Sequence, residues 1–320
     1  MVADEVLRNQ ISNSLRETNF RFGSRYRGKV RDNYTVGGER VIVATDRISA
    51  FDVVLTTLPF KGQVLNQLAA FWFDKTRHLF PNHVIDVIDP NVTVAKECVP
   101  IAVEMVVRGY LTGVTPTSAW YHYQKGVRNF CGNLLPDGMR KDQRFDEPIL
   151  TPSTKAHLGH DVSLAKEELL RTGVVDRDTF DIMEEASYRL FDFGSRFAEK
   201  NGLVLVDTKY EFGVHDGEVV LIDEIHTPDS SRYWFSSSYE ENFEKGIDQK
   251  SFDKEYLRKW LSTQGFDGRG PVPQIPDEVK VETVKRYVEA FAAITGEEFK
   301  PAPGNVLERI QHVLAEKGYL

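Results

Sequence analysis

Cysteine is scarce in this sequence, and long apolar runs are missing from it. The 2 cysteines, Cys98 and Cys131, are too few for a disulfide scaffold and have no CxxC spacing. They are most simply buried apolar side chains in a reducing compartment, so we expect a cytoplasmic protein. The longest run of hydrophobic types covers residues 68–73, whereas a membrane span needs about 20 residues. With a polar, acidic start, this predicts no membrane partner and no secretion signal.

An excess of positive charge is also missing. The 320 residues carry a formal net charge of −8, from 40 Lys and Arg against 48 Asp and Glu. A broad nucleic-acid surface requires clustered basic residues, so the composition predicts no nucleic-acid partner. It still permits a local basic pocket that binds a small anionic ligand. The hydrophobic content of 41% is enough for a folded core.

Periodicity predicts two lobes of an α+β protein, as expected from about 150 residues per domain. Residues 1–110 are predicted to form a mainly β lobe with strands near 26–34, 40–45, 52–58 and 101–108, a hairpin turn at Gly37-Gly38 and a helix over 63–80. Residues 111–320 are predicted to form a larger α+β lobe with helices over 163–172 and 178–200, a hairpin over 203–225 and a C-terminal helical extension. The helix over 178–200 carries an apolar stripe of Phe180, Met183, Leu190, Phe193 and Phe197. The segment 111–160 lacks clear elements, and so long an irregular stretch is usually functional.

Charged residues alternate with other types in the segment LVDTKYEFG at 205–213. Because strand side chains alternate between faces, Asp207, Lys209 and Glu211 share one face. That face is either the solvated side of a hairpin or the wall of a cleft that holds a cation. The partner strand at 219–222 is apolar on both faces and ends at Asp223, which favours the cleft.

The length of the turn decides which residues face each other in this hairpin. A two-residue turn at Asp216-Gly217 places Asp223 opposite Tyr210, and the turn residues favour this register. A three-residue loop centred on Gly217 places Asp223 opposite Glu211 instead. Two close carboxylates repel each other unless a cation lies between them, and Mg²⁺ prefers oxygen ligands. On that chemical ground we favour the second register, with a Mg²⁺ site at the two carboxylates.

Two further strands carry basic residues. Gly28 allows a close backbone approach, and Lys29 and Arg31 share a face if their segment is a strand. The segment is either a cradle for a polyphosphate or a basic edge strand, and the edge strand is the simpler interpretation of these residues alone. On the strand over 101–110, Glu104 and Arg108 share a face. Arg108 either anchors a phosphate or carboxylate through its fork or pairs with Glu104.

Polar loops supply the remaining candidates. The segment TPSTK at 151–155 continues to His157, His160 and Asp161, and its hydroxyls and lysine suit anion recognition. Zinc is disfavoured at the histidines because no cysteine lies at ligand spacing. Two other polar loops lie at 46–52 and 229–232. For each of the three loops taken alone, a turn or cap role is the simpler explanation.

Four segments occur in an informative order along the chain. They are GKVRD at 28–32, VVRGYLTG at 106–113, DTKYEFG at 207–213, and the stretch from Asp223-Glu224 to Trp234. Together they resemble phosphoribosylaminoimidazole-succinocarboxamide synthase (SAICAR synthase), in the longer form of that family. The DxKxEFG motif is specific, whereas GKxR alone is not. The resemblance spans roughly residues 26–234 and extends more loosely to the C-terminus.

The resemblance implies a two-lobed ATP-binding fold related to ATP-grasp and kinase-like folds, with 1–110 as the nucleotide-binding lobe and 111–320 as the substrate and metal lobe. It also implies an ATP-dependent ligase of de novo purine biosynthesis, with ATP and Mg²⁺ as cofactors. Such an enzyme joins the carboxylate of carboxyaminoimidazole ribonucleotide (CAIR) to the amine of L-aspartate through an acyl phosphate, giving SAICAR, ADP and phosphate. A monomer is expected, although the oligomeric state stays open. The rival interpretations are a kinase-like relative with another acceptor and a regulatory nucleotide binder without turnover.

The same resemblance assigns roles to individual residues. The catalytic residues are Lys209 and Asp207, and the metal ligands are Glu211 and Asp223. ATP is bound by Gly28, Lys29, Arg31 and Glu104. The substrates are bound by Ser49, Asp52, Arg108, Ser118, Lys155, His160, Asp161, Asp229 and Arg232. The family usually has Gly-Ser after the arginine, whereas VTPT follows Gly113 here, so either Thr115 or Ser118 supplies the hydroxyl, and we favour Ser118.

Overall fold

The computed structural model describes residues 2–51, 53–155, 162–252 and 255–320. Within these ranges the helices are α1 (Asp4–Gln10), α2 (Lys61–Thr76), α3 (Ala119–Tyr123), α4 (Lys166–Thr172), α5 (Arg177–Lys200), α6 (Ser236–Lys245), α7 (Glu255–Thr263), α8 (Asp277–Thr295) and α9 (Val306–Glu316). The strands are β1 (Ser24–Arg27), β2 (Arg31–Val36), β3 (Glu39–Ala44), β4 (Arg47–Ala50), β5 (Val53–Thr57), β6 (Val84–Asp89), β7 (Val92–Lys96), β8 (Val99–Leu111), β9 (Asn129–Phe130), β10 (Asn133–Leu134), β11 (Gln143–Leu150), β12 (Ser153–Thr154), β13 (Leu203–His215), β14 (Glu218–Ile222) and β15 (Ser231–Phe235).

These elements form two compact units. The first contains the chain up to Trp72, Val84–Glu97 and Phe252–Leu320, and the second contains Phe73–His83 and Cys98–Ser251. This division differs from the predicted lobes 1–110 and 111–320. Strand β8 belongs to the second unit because it pairs with β11, β12 and β13. The C-terminal helices belong to the first unit.

The first unit is built on an antiparallel sheet with the strand order β1-β2-β3-β7-β6. Gly37 and Gly38 both have positive φ, 59° and 82°, and form the predicted turn between β2 and β3. The predicted continuous strand over 26–34 is wrong, because β1 and β2 are two strands that pair across residues 28–30. The backbone N–H of Gly28 donates to the carbonyl of Arg31 at 2.8 Å, which closes that turn.

Helix α9 covers the core of this sheet. Its buried side chains pack in one cluster with side chains of β2, β3 and β7: Val306, Ile310 and Leu314. Burying one such side chain contributes about 1.5–3 kcal/mol, whereas the net stability of a domain is only about 5–15 kcal/mol, so exposing the three would be strongly destabilising. Arg309 of the same helix donates to both oxygens of Asp89, at 2.8 and 3.2 Å. The C-terminal helix is therefore needed to complete the first unit.

The second unit is built on a sheet with the strand order β11-β8-β13-β14, in which β12 also pairs with β8 and β15 with β13. The segment 111–160, predicted to be irregular, contains the short elements α3 and β9–β12. Helix α5 packs against β8 and β13 through the predicted apolar stripe, with Phe180, Met183 and Leu190 buried. The helix begins where the Asp176 carboxylate accepts the backbone N–H of Thr179 at 2.9 Å.

The mixture of helices and antiparallel sheets agrees with the predicted α+β class. A relationship to ATP-grasp and kinase-like folds stays a prediction. None of the helices in the described part of the chain is long and apolar enough to span a bilayer.

Candidate functional site

The hairpin of β13 and β14 has a two-residue turn. His215 pairs with Glu218 and Glu211 pairs with Ile222, so residues 216–217 alone connect the strands. Asp216 and Gly217 have φ of 50° and 84°, the positive values that such a turn requires. The three-residue loop that we favoured on chemical grounds is therefore wrong. Local backbone conformation decided the register, and repulsion between carboxylates did not.

Asp223 lies one residue beyond β14 and leaves the ladder in a left-handed conformation, with φ of 70°. It therefore does not face Glu211 across the strands. Its negative charge nevertheless raises the pKa of both Lys155 and Lys209, as does the charge of Glu211. Glu211 and Asp223 thus act on the same two ammonium groups, although neither is the cross-strand partner of the other.

Strands β8 and β13 bring the predicted charged faces together. Asp207 pairs with Arg108 and Glu211 pairs with Glu104 in the antiparallel register. Lys209 lies between the two carboxylate-bearing pairs on the same face of β13. The alternation of side chains that was predicted for each segment separately is therefore confirmed. The strand pairing further shows which residue of β8 lies opposite each residue of β13.

Lysines and carboxylates form one hydrogen-bonded group, the lysine–carboxylate cluster, consisting of Glu104, Lys155, Lys209 and Glu211. The Lys209 ammonium donates to Glu104 Oε1 at 2.8 Å and to Glu211 Oε1. The Lys155 ammonium donates to Glu211 Oε2. The Glu104 and Glu211 side chains are buried, whereas those of Lys155 and Lys209 are 47% and 30% exposed. The two ammonium groups thus neutralise the two buried carboxylates from the solvent side.

The protonation state of Lys209 follows from this arrangement. Burial opposes the charged form, but the carboxylates of Glu211, Glu104 and Asp223 outweigh it and raise the pKa well above its ordinary value. Burial and Glu211 act on Lys155 in the same opposed way, and its pKa is also raised. Both side chains stay protonated near neutral pH. They can therefore donate hydrogen bonds and stabilise negative charge, but cannot act as general bases.

Arg108 and Arg232, the arginine pair, flank the carboxylate of Asp207. Arg108 NH1 lies 3.4 Å from Asp207 Oδ2, and Arg232 Nε lies 3.5 Å from Oδ1. Burial lowers the pKa of Arg108 and the nearby charge of Arg232 adds to this, while Asp207 opposes them. An arginine nevertheless stays charged in proteins. Two guanidiniums against one carboxylate leave a net positive charge, which suits an anionic ligand.

Arg108 is 5% exposed and is held on three sides. Besides its contact with Asp207, its Nε donates to Thr151 Oγ1 at 2.7 Å and its NH2 donates to the carbonyl of Thr117 at 2.8 Å. Glu104 bonds Lys209 instead, so pairing with Glu104 is not what holds Arg108. Thr151 was named only within the segment TPSTK, whose hydroxyls were expected to recognise an anion, and its bond to Arg108 was not predicted.

The Gly113 backbone brings Ser118 close to Arg232. A Cβ on Gly113 would lie 2.4 Å from Ser118 Oγ and 2.7 Å from Arg232 NH1. The Ser118 hydroxyl is buried and lies 2.7 Å from the hydroxyl of Thr115, which is exposed. Both candidate hydroxyls are therefore in one place, and Ser118 is the one beside the arginine pair. Its role in binding stays a prediction.

The predicted phosphate segment of the first unit is a turn. Lys29 lies between β1 and β2, so it does not share a strand face with Arg31 as expected. The carbonyls of Gly28 and Lys29 accept hydrogen bonds from the buried guanidinium of Arg47, at 3.0 and 2.9 Å. Arg47 was noted only within a polar loop, because nothing local to the sequence shows where its side chain is directed.

The other predicted residues are divided between the two units. Gly28, Lys29, Arg31 and Ser49, the last on β4, belong to the first unit, whereas Glu104 belongs to the second. Asp229 is half-buried in the second unit, and its backbone N–H donates to Thr227 Oγ1 at 3.3 Å. Four predicted or discussed residues lie outside the described ranges: Asp52, His157, His160 and Asp161.

The loop that carries Asp223 and Asp229 is anchored by His226. The His226 ring is fully buried, and burial lowers its pKa to about 3, so the ring is neutral. Its Nε2 shares a hydrogen bond with the Tyr210 hydroxyl at 2.6 Å. Its carbonyl accepts the Tyr233 hydroxyl at 2.8 Å. The loop is thus attached to β13 and β15 from inside the unit.

We expect Gly194→Ala to lower the thermal stability, although alanine favours a helix by about 1 kcal/mol over glycine. A Cβ at Gly194 of α5 would lie 2.3 Å from Cε1 of the enclosed His226 ring. Overpacking of this kind costs about 1–3 kcal/mol, which outweighs the gain in helix propensity. Calorimetry should show a lower Tm, whereas Glu185→Ala, at an exposed position of α5, should leave Tm nearly unchanged. An equal or higher Tm for Gly194→Ala would contradict this packing.

The donor chemistry of the second unit fits a magnesium ion. Among the described residues no group of three or more His, Cys, Asp or Glu side chains is arranged as a metal site. Mg²⁺, however, typically binds through one or two carboxylates and completes its shell with phosphate oxygens and water. Glu211 and Asp223 supply two carboxylates. The two Glu211 oxygens accept hydrogen bonds from the Lys155 and Lys209 ammonium groups, so they already stabilise positive charge at this place.

Comparison with known proteins agrees on one family. Residues 24–273 match the model of the SAICAR synthetase family. A phosphoribosylaminoimidazole-succinocarboxamide synthase of Bacteroides thetaiotaomicron is 49% identical over 307 residues, covering 93% of this chain and 96% of the relative. One from Legionella pneumophila (strain Lens) is 46% identical over 308 residues, covering 94% and 98%.

Solved structures agree with the sequence relatives. SAICAR synthase from Saccharomyces cerevisiae, complexed with SAICAR, superposes with a TM-score of 0.76 at 33% identity, covering 86% of this chain and 95% of that one. A SAICAR synthetase in complex with ADP superposes with a TM-score of 0.66, covering 87% and 100%. At 23% identity the second likeness shows the fold alone.

Proposed function

The chain belongs to the SAICAR synthetase family, and from this premise we propose that it is an ATP-dependent carbon–nitrogen ligase of purine biosynthesis. It joins the carboxylate of CAIR to the amine of L-aspartate and gives SAICAR, ADP and phosphate. The observation that carries the proposal is the charged face of β8 and β13, where the lysine–carboxylate cluster adjoins the arginine pair. The identity of 46% and 49% to the named relatives, over nearly the full length of the chain, supports the same reaction.

The reaction requires activation of a carboxylate, whose oxide is a poor leaving group. Transfer of the γ-phosphoryl group of ATP to CAIR gives an acyl phosphate and ADP. The aspartate amine then attacks the acyl carbon, the carbon–nitrogen bond forms, and phosphate leaves while the amine loses a proton. Phosphoryl transfer depends mostly on positioning and on neutralising charge. Groups that stay cationic beside the transferred phosphoryl group are suited to both tasks.

Lys209 is the catalytic cation in this proposal. Its ammonium is kept charged by Glu104, Glu211 and Asp223, and it stabilises negative charge that develops on the transferred phosphoryl group. Asp207 holds the arginine pair in place rather than accepting a proton, because its oxygens already face two guanidiniums. Lys155 lies beside the same carboxylates and contacts substrate together with His160 and Asp161.

The arginine pair binds the anionic groups of CAIR. Arg108 and Arg232 present guanidiniums, and Ser118 adds a buried hydroxyl beside Arg232. Forked guanidiniums recognise phosphate and carboxylate oxygens by paired hydrogen bonds. The remaining substrate contacts are assigned to Ser49, Asp52 and Asp229.

Glu211 and Asp223 hold Mg²⁺, which when bound neutralises charge on the phosphates of ATP. Gly28, Lys29 and Arg31 contact those phosphates, and Glu104 contacts the nucleotide. The support for the first three is the hairpin turn whose backbone is held by Arg47. We further propose that the enzyme works as a monomer in the cytoplasm.

Release of ADP tests the proposal directly. With ATP and Mg²⁺ present, CAIR and L-aspartate are added singly and then together, while product absorbance is followed. We expect ADP release in step with product only when both substrates are present. Release of ADP with CAIR alone would support the phosphorylation step but contradict the assignment of L-aspartate as the second substrate. No release from folded protein that still binds ATP would overturn the ligase and favour a regulatory nucleotide binder.

A further inference from the structure

A buried guanidinium lies beneath the Gly28–Val30 turn of the first unit. Arg47, on β4, is 1% exposed. Its Nε donates to the Lys29 carbonyl at 2.9 Å, and its NH2 donates to the Gly28 carbonyl at 3.0 Å. The same NH2 lies 2.8 Å from Asp32 Oδ1, and NH1 donates to the carbonyl of Arg16 at 2.6 Å. Every nitrogen of the guanidinium therefore has an acceptor, which a buried cation requires.

The third carbonyl of the turn, that of Val30, is held by Thr45. Both the hydroxyl and the backbone N–H of Thr45 donate to the carbonyl of Val30, at 2.7 and 3.0 Å. The described chain contains no cis peptide bond, and in a trans peptide the C=O and the following N–H point in opposite directions. The N–H groups of Lys29 and Val30 are therefore directed away from Arg47, whereas the backbone of Arg31 faces Gly28 within the turn.

Neutralising Asp32 does not by itself explain the geometry of Arg47. Asp32 Oδ2 already accepts the backbone N–H and the hydroxyl of Thr18, at 2.6 and 3.0 Å. A lysine could supply the countercharge, but only the planar fork of an arginine reaches two consecutive carbonyls and a carboxylate at fixed angles. The carbonyls it reaches belong to the turn that carries Lys29. Unlike a simple cation, the arginine thus also stabilises the backbone conformation of this turn.

We propose that Arg47 is a positioning residue for the phosphates of ATP: it fixes the Gly28–Lys29 backbone so that the turn presents outward N–H groups and the Lys29 ammonium to an anion. Outward N–H groups in a rigid turn make an anion-binding concavity. Arg47 itself is enclosed and does not touch the ligand. The inference rests on the proposed function, because that function assigns the turn to ATP.

Binding of ADP to the full chain, measured by calorimetry, tests the inference. Arg47→Lys keeps the charge beside Asp32 but loses the fork, and we expect at least about a tenfold weaker Kd for ADP, the change that corresponds to one lost hydrogen bond. In steady-state assays KM for ATP should rise while KM for CAIR stays the same. Thr45→Val removes one hydrogen bond from a hydroxyl to the turn. It should also weaken ADP binding, by a smaller factor than Arg47→Lys.

Arg40→Lys is the matched control. Arg40 of β3 also makes a forked contact, with Glu97 at 2.9 and 2.7 Å, but does not touch the turn. It should leave the Kd for ADP unchanged, even if Tm falls. An Arg47→Lys enzyme that loses stability but binds ADP like the wild type would overturn the inference. If Arg47→Lys does not fold, an unchanged Kd in Thr45→Val overturns it. Failure of the wild type to bind ADP would instead overturn the proposed function.

Discussion

Replacing Lys209 by methionine is expected to lower kcat by at least about 100-fold, the loss typical of a removed transition-state charge contact. The substitution keeps the length of the side chain but removes the ammonium that donates to Glu104 and Glu211. Affinity for ADP should change little, because the proposed phosphate contacts of the turn at 28–30 remain. Turnover is measured from product absorbance and ADP binding from calorimetry on the same preparation.

A second lysine supplies the control for this result. Lys166 of α4 also bonds two acidic side chains, Asp181 at 2.7 Å and Glu184 at 2.5 Å. Lys166→Met removes a comparable pair of ionic contacts in the same unit and should leave kcat nearly unchanged. Equal loss of turnover and ADP binding in Lys209→Met would assign Lys209 a structural or binding role. Circular dichroism is needed beside both assays, since loss of Lys209 leaves buried carboxylates without their cation.

Arg108→Lys should raise KM for CAIR by about 100-fold or more, since losing two charged hydrogen bonds costs about 3–6 kcal/mol. The guanidinium reaches Thr151, Thr117 and Asp207 in three directions at once. A lysine has one nitrogen, so it cannot hold these partners and present a fork to an anion. The affinity for ADP should be retained. KM for each substrate and the Kd for ADP distinguish these effects.

Arg196→Lys is the comparison for Arg108. Arg196 bonds Asp192 at 3.0 Å on the exposed side of α5, where its side chain is 74% exposed. A surface ion pair contributes little, so all kinetic constants should match those of the wild type. If Arg108→Lys binds CAIR normally and loses only stability, the arginine pair would be a structural ion-pair network rather than a substrate site.

Local patterns were sufficient for several parts of this protein. The alternation in the DTKYEFG segment placed Asp207, Lys209 and Glu211 on one face, and the structure confirms it. The stripe of α5 and the Gly37-Gly38 turn were also readable, because side-chain periodicity and positive φ are properties of neighbouring residues. The register of the β13–β14 hairpin was readable too. Its turn residues indicated the observed pairing, and the chemical argument that we preferred was the weaker one.

Contacts between distant segments could not be read in this way. The turn at Lys29 is held by Arg47, and Arg108 by Thr151, across 18 and 43 residues of sequence. The helix α9 covers a sheet made by the first hundred residues, so the chain does not divide at residue 110. The sequence alone thus determined the local faces, the turns and the family. The tertiary structure decided which faces meet and which buried groups support them, because these depend on packing between residues that no local pattern connects.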